Sequence, residues 1–330
     1  MKFSTLAITA ALVLASISYG QAETADGCRQ ARDPQLRLQA CSQIIADPSA
    51  SIEAKATAFR NRGMTRADAG VGDLAIADFN DALALNPNDA TTLSSRGHAR
   101  LTRGDNVGAI ADFSAAIALA PTITGHFISR GHAHTVMGAA DLAIADFDAA
   151  LALKPQSASA LNHRGLAWRK KGDTDRAIAD YTAAIALNPV YALAYNNRGY
   201  AYEAKGETRL AQEDFVRALL LDTSLTGASA GLKRLGGTGA LAAESDALIA
   251  RGRDLVEANC SRCHATGASG QSPNPRAPHF RAIQQRHKML TLREPLTRGI
   301  AATHDEMPTF KMSEKEIDTI IAYINSLPES

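Results

Sequence analysis

Five glycines, Gly63, Gly97, Gly131, Gly165 and Gly199, recur at intervals of 34 residues. Alanines share the register at Ala75, Ala109, Ala143, Ala177 and Ala211, and again at Ala82, Ala116, Ala150, Ala184 and Ala218. So do the aromatics Phe79, Phe113, Phe147, Tyr181 and Phe215, while Pro87, Pro121, Pro155 and Pro189 close the first four units. A fixed period of this length means one supersecondary unit copied along the chain. A second glycine series, Gly70, Gly104, Gly138, Gly172 and Gly206, divides each period into two helix-length stretches. Each unit therefore reads as two antiparallel helices, with alanines allowing close approach and the aromatic filling the space between them. No unit can bury its apolar face alone, so neighbours must stack. The expected fold is all-α.

The period and the Gly, Ala, aromatic, Ala, Pro offsets resemble the tetratricopeptide repeat. The resemblance implies a right-handed superhelix with a concave groove for a protein ligand, here about five full repeats after a degenerate N-terminal half-repeat. The position before the first glycine is arginine throughout: Arg62, Arg96, Arg130, Arg164 and Arg198. Aspartates keep step with it at Asp78, Asp112, Asp146, Asp180 and Asp214. Equal numbers of both signs point to a structural ladder of ion pairs and away from a basic surface for nucleic acid. Groove positions vary: Arg60, Ser94, Ile128, Asn162 and Asn196, then Met64, His98, His132, Leu166 and Tyr200. His98 and His132 occupy equivalent places and could meet at a metal, or serve as hydrogen-bonded surface residues.

Downstream, Cys260-Ser261-Arg262-Cys263-His264 reads C-x-x-C-H. That is the attachment signal for c-type haem, in which each thiol adds across one porphyrin vinyl group and the next histidine reaches the iron from the same side. A redox dithiol or half of a zinc site is the competing reading, but no second cysteine pair lies nearby.

Residues from about Ser245 to Pro328 resemble a class I cytochrome c domain. A first helix runs from Ala247 to Val256 into the haem motif, and a closing helix from Ser313 to Leu327 begins Ser-Glu-Lys-Glu, a capping-box signature. Ile317, Ile320, Ile321 and Ile324 then follow at helical spacing. The resemblance implies that the two helices cross where Gly252 meets Tyr323. It also implies one covalent haem c, with His264 and Met307 of the Met307-Pro308 pair as axial ligands. His304 is the rival on the same loop; Met289, Met312, His279 and His287 are further from the family pattern. A proline carbonyl should hold the imidazole of His264, and Pro273, Pro275 and Pro278 all qualify.

Met1-Lys2, an apolar stretch from Leu6 to Ile17, and the small residues Gly20 and Ala22 make a secretory signal peptide with cleavage after Ala22. The apolar run is short for a membrane span, so membrane attachment requires an uncleaved signal. Export together with haem attachment resembles a Gram-negative periplasmic protein. With Cys260 and Cys263 assigned to haem, Cys28 and Cys41 remain of the four cysteines. In an oxidising compartment they are expected to pair as a disulfide.

The expected organisation is a signal peptide over 1–22, repeats over 23–222, a glycine-rich cap and linker over 223–243, and a cytochrome c domain over 244–330. A short capping helix falls within Leu225 to Leu235. The formal net charge of +1 gives no reason to expect nucleic acid. A basic stretch, Arg276, Arg281, Arg286, Lys288, Arg293 and Arg298 against Glu294, could steer an acidic redox partner or lie beside haem propionates. The sequence thus predicts a periplasmic electron-transfer protein, not an enzyme, with a docking arm for partner proteins. A haem-linked sensor or assembly scaffold, and a peroxidase with a labile distal ligand, are the alternatives.

Overall fold

The computed structural model describes residues 26–262, 264–267, 271–273 and 312–327, without the side chains of 238–245, 314, 315, 318, 325 and 326. The signal segment lies outside the described residues. Among the described residues all regular structure is helical. The chain forms two compact units, Met1–Arg176 and Ala177–Ser330, divided within one helix.

The first unit contains α1 (Pro34–Ala46), α2 (Ile52–Asp68), α3 (Gly72–Leu85), α4 (Ala90–Thr102), α5 (Asn106–Leu119), α6 (Thr124–Val136), α7 (Ala140–Leu153) and α8 (Ala158–Lys171). Each packs against the next, and the first helices of successive hairpins, α2, α4, α6 and α8, also touch one another. Helix α9 (Thr174–Leu187) carries the division between the units.

The recurring glycine and aromatic explain each other. Phe79, Phe113 and Phe147 are fully buried. A Cβ on Gly63, Gly97 or Gly131 would approach those rings to 2.8, 2.7 and 2.8 Å, closer than real Cβ atoms come. Ring and glycine therefore form one packing unit, repeated with the sequence period. The hairpin turns use the second glycine series. Gly104 has φ +81°, and beside it the Asp105 amide donates to Arg100 O at 2.9 Å while the Gly104 amide donates to Leu101 O at 3.0 Å. This is the Schellman arrangement, which satisfies helix-end carbonyls and needs a residue free to adopt positive φ.

The arginine series binds the aspartate series. Arg62 to Asp78, Arg96 to Asp112 and Arg130 to Asp146 close at 2.7, 2.7 and 2.6 Å. Each guanidinium also reaches back to the preceding hairpin. Arg62 donates to Ser42 Oγ (3.1 Å), Arg96 to Asn80 Oδ1 (2.8 Å), Arg130 to Ser114 Oγ (3.1 Å) and Arg164 to Asp148 Oδ1 (2.6 Å). One arginine thus neutralises a buried carboxylate inside its repeat and stitches that repeat to its neighbour. Bidentate guanidinium geometry suits both tasks, and a lysine could not do both. At the N-terminal end, Cys28 and Cys41 are joined, Sγ to Sγ 2.11 Å, and pack with Ala58 of α2.

The second unit contains α10 (Ala192–Ala204), α11 (Thr208–Leu221), α12 (Thr226–Arg234), α13 (Thr238–Cys260) and α14 (Glu314–Ser326). Phe215 is held between Gly199 and Gly231, where added Cβ atoms would stand 2.8 and 2.5 Å from the ring. Arg198 pairs with Asp214 at 2.7 Å and donates to Thr182 Oγ1 at 3.0 Å, repeating the stitch of the first unit. Helix α13 begins at Thr238, nine residues before the Ala247 start that the sequence suggested. The run Ala240-Leu241-Ala242-Ala243 is made of strong helix formers, so the helix starts directly after Gly236 (φ +69°) ends α12.

Candidate functional site

The haem motif sits at the C-terminal end of α13. The His264 amide donates to Cys260 O at 3.0 Å, so the chain keeps a helical turn from Cys260 to His264. This puts both residues on one side of the helix end, one turn apart. Both are buried, at 5% and 6% exposure. Cys260 belongs to an apolar cluster with Val256, Ile317, Ile320, Ile321, Tyr323, Ile324 and Leu327. Met312 packs against that same cluster.

Helices α13 and α14 cross with their backbones in contact. A Cβ on Gly252 would stand 1.9 Å from Thr319 O and 2.9 Å from the Tyr323 Cβ. Only glycine permits that approach. Ser313 caps α14 in a full capping box with Glu316, whose carboxyl the Ser313 hydroxyl and amide hold below the usual carboxylate range. Tyr323 reaches across to donate its hydroxyl to Thr266 O at 2.8 Å. The Ala265 amide donates to Ser272 Oγ at 3.1 Å. The segment after His264 is therefore pinned from two sides. The sulfur and imidazole donor set, buried over an apolar floor, fits haem c.

Family models match in both halves of the chain. "Cytochrome C oxidase, cbb3-type, subunit III" covers 247–324. Three tetratricopeptide repeat models cover 60–122 and 129–179, 167–206, and 192–224. The chain is a tetratricopeptide repeat protein carrying a cytochrome c domain. No curated protein matches it. Among solved structures it is similar to a MamA protein, at 28% identity over 51% of this chain and 92% of that chain, TM-score 0.45. MamA from Desulfovibrio magneticus RS-1 matches at 22% identity over 53% and 99%, TM-score 0.47. The APC/C hetero-tetramer Cut9-Hcn1 matches at 18% identity over 61% and 42%, TM-score 0.52, which supports the helical-repeat fold.

In the cytochrome c domain, the structure brings Cys260 and His264 together. Cys263, Met307, His304, Met289, His279, His287, Pro275, Pro278 and the basic stretch from Arg276 to Arg298 lie outside the described residues. The anchoring residues Thr319, Thr266 and Ser272 escaped the sequence reading. Thr319 meets Gly252 through its backbone carbonyl. Thr266 acts through its carbonyl, which no side-chain pattern reveals.

In the repeats of the first unit, several groove positions serve packing. Ile128 packs beside Ile144 and Phe147, and Asn162 is buried at 4% exposure. Arg60 pairs with Asp89 at 2.7 Å, where Asp89 also caps α4. Burial opposes ionisation of Asp89, but hydrogen bonds from Thr92 and Arg60 together hold its carboxyl below the usual range. His98 bonds Ser94 O through Nδ1 (2.8 Å) and Ser129 Oγ through Nε2 (2.9 Å), so both its ring nitrogens are engaged within the repeats. Among the described residues no group of three or more potential ligands could hold a metal ion. Among them, too, no helix is long and apolar enough to cross a membrane.

Proposed function

We propose that this protein is a periplasmic electron carrier whose repeats dock a partner protein. One haem c would be held by thioethers to Cys260 and Cys263, with His264 and Met307 as axial ligands. The observation that carries the reading is the helical turn from Cys260 to His264, buried over the α13–α14 core within the segment matching a cytochrome c family. Bound haem supplies a reversible one-electron couple, and His/Met ligation raises its potential.

The chain's own residues supply position and exclusion of water. The Gly252 crossing fixes α13 against α14. Tyr323 and Ser272 fix the segment that follows His264, which orients the imidazole. The isoleucines of α14 keep one side of the site dry. The arrangement suits electron exchange without bond formation to a substrate. The joined Cys28 and Cys41 belong with an oxidising compartment and support the exported location that the signal segment suggests.

The test is chemical and kinetic. Haem should stay with the polypeptide through acid–acetone extraction, and Cys263→Ala should shift the pyridine haemochrome band. Met307→Ala should remove the methionine–iron charge-transfer band, lower the potential and open the iron to carbon monoxide. Those effects from His304→Ala in place of Met307→Ala would make the site bis-histidine. Extractable haem in the unaltered protein would defeat the reading.

A further inference from the structure

Five of the nine histidines in the chain fall between residues 98 and 163. Three of them, His126, His132 and His134, lie on α6; His98 on α4 and His163 on α8 flank them. The repeat register shows that this concentration is not demanded by the fold. The slot of His126 holds Ala58, Thr92, Ala160 and Ala194 in the other repeats. That of His132 holds Met64, His98, Leu166 and Tyr200, and that of His134 holds Arg66, Arg100, Trp168 and Tyr202. That of His163 holds Asn61, Ser95, Ser129 and Asn197.

We propose that α6 is an acid-sensitive joint, which loosens when its histidines take up protons while the hairpins ahead of it stay packed. This inference is independent of the haem reading. His126 is buried at 8% exposure, in a slot that holds alanine or threonine in the other repeats. His132 meets His163 edge to face, ring centroids 5.7 Å apart. His98 takes the Ser129 hydroxyl of α6 on Nε2, the nitrogen left unprotonated when Nδ1–H donates to Ser94 O.

The charged groups on the helices packed around α6 do not compensate. On α4, Arg96 and Arg100 are engaged by Asp112 of α5. On α7, Asp148 pairs with Arg164 and Asp141 with Lys171 of α8, while Asp146 pairs with Arg130 of α6 itself. Lys170 and Arg169 on α8 add only positive charge. Among the described residues, Asp146 beside His134, at 3.8 Å, is the only carboxylate in salt-bridge reach of a histidine. In the two preceding repeats that place is filled by Arg66 and Arg100, which bond Asp78 and Asp112 at 2.7 and 2.8 Å.

The titration follows the geometry. Burial holds all three α6 histidines below the ordinary value of 6.5, with His98 adding to the effect on His126. His163, His98 and Lys170 add to it on His132. For His134 burial outweighs the opposing pull of Asp146. A histidine whose folded pKa is depressed gives stability that is complete above its unfolded pKa. That stability is lost as pH falls through 6.5 towards the folded value, because the unfolded chain binds the proton first. Each full unit of depression is worth about tenfold in the opening equilibrium. Repeat stability is a sum over neighbours, so the loss is local to α6 and its contacts.

Hydrogen exchange of the full-length protein, corrected for intrinsic rates, tests this at about pH 7.5 and about pH 5, which bracket histidine titration. Amides of α6 should lose about tenfold or more of their protection while those of α2 and α3 keep theirs. A triple variant, His126→Ala, His132→Leu and His163→Asn, uses residues that other repeats already carry in those slots. With His134 as the one α6 histidine left, it should lose clearly less protection between the two pH values than the parent. If it does not fold, His134→Arg, matching Arg66 and Arg100, should move the midpoint of the loss to lower pH. Equal acid loss in α2 and α6, an unchanged acid loss in the folded triple variant, or an unmoved midpoint in His134→Arg would each overturn the proposal.

Discussion

Gly252 and Thr319 bring the backbones of α13 and α14 together so closely that a Cβ on the glycine would lie 1.9 Å from the threonine carbonyl oxygen. The atom in the way is backbone, so no rotamer change can relieve the clash. Gly252→Ala should therefore cost at the upper end of the usual overpacking range, about 3 kcal/mol, and Gly252→Val should prevent assembly of the crossing. The expected readout is loss of haem-bearing protein, while far-ultraviolet circular dichroism keeps the repeat helices. Normal haem incorporation in Gly252→Val would show that the helices can cross elsewhere.

Tyr323→Phe removes the hydroxyl that holds Thr266 O at 2.8 Å and leaves the ring in the core. The expected loss is about 1 kcal/mol. Because Thr266 follows His264 by two residues, the variant should also loosen the segment that carries the proposed haem ligand. A thermal melt followed in the Soret band, compared with one followed by circular dichroism, separates the two effects. Equal melts for variant and parent would mean that the bond is not formed in solution.

Much of this architecture is legible in the sequence because packing leaves periodic traces. Gly97 and Phe113 recur together because the ring occupies the space where a Cβ would go. Arg96 and Asp112 recur together because a buried carboxylate needs a matched cation. The capping box at Ser313 is readable because its chemistry is confined to four neighbouring residues. Contacts made through the backbone leave no such trace. Thr266 and Thr319 contribute carbonyl oxygens, which any residue carries, so their roles emerge only from the fold. The groove positions were less legible for a related reason. Ile128 and Asn162 occupy places that vary between repeats, and variation alone does not distinguish a binding residue from one fitted to a local neighbour.

Joining Cys28 to Cys41 spans 13 residues at the end of the stack and ties the helical turn over 26–30 to α1. A cross-link of that span removes about 3 kcal/mol of unfolded-state freedom. The Cys28→Ser/Cys41→Ser protein should lose about that much in urea, with the loss concentrated in exchange protection of α1 and α2. Reductant should reproduce the effect in the parent and leave the double variant unchanged. A reductant-insensitive parent would show that the thiols are not oxidised as isolated.

Asp112 is the stronger test of the ladder, because three hydrogen bonds converge on it. Arg96 donates through Nη2 (2.7 Å) and Nε (3.0 Å), and Arg100 through Nη1 (2.8 Å), to a carboxylate that is 3% exposed. Asp112→Asn keeps the shape but leaves two guanidinium charges against a neutral amide. Breaking a buried pair in this way costs about 3–5 kcal/mol. Arg96→Met should cost less, since Arg100 still neutralises the aspartate, but it also cuts the bond to Asn80 of the preceding hairpin. Replacing all three charges, with Asp112→Leu, Arg96→Met and Arg100→Met, removes the desolvation penalty together with the attraction. Stability should then recover most of the Asp112→Asn loss. Urea titration of the four proteins gives the order: parent and apolar triple highest, Arg96→Met between, Asp112→Asn lowest. An Asp112→Asn protein as stable as Arg96→Met would mean that the aspartate needs only one hydrogen-bond acceptor and no charge, and the ladder would be a hydrogen-bonded seam with no electrostatic role.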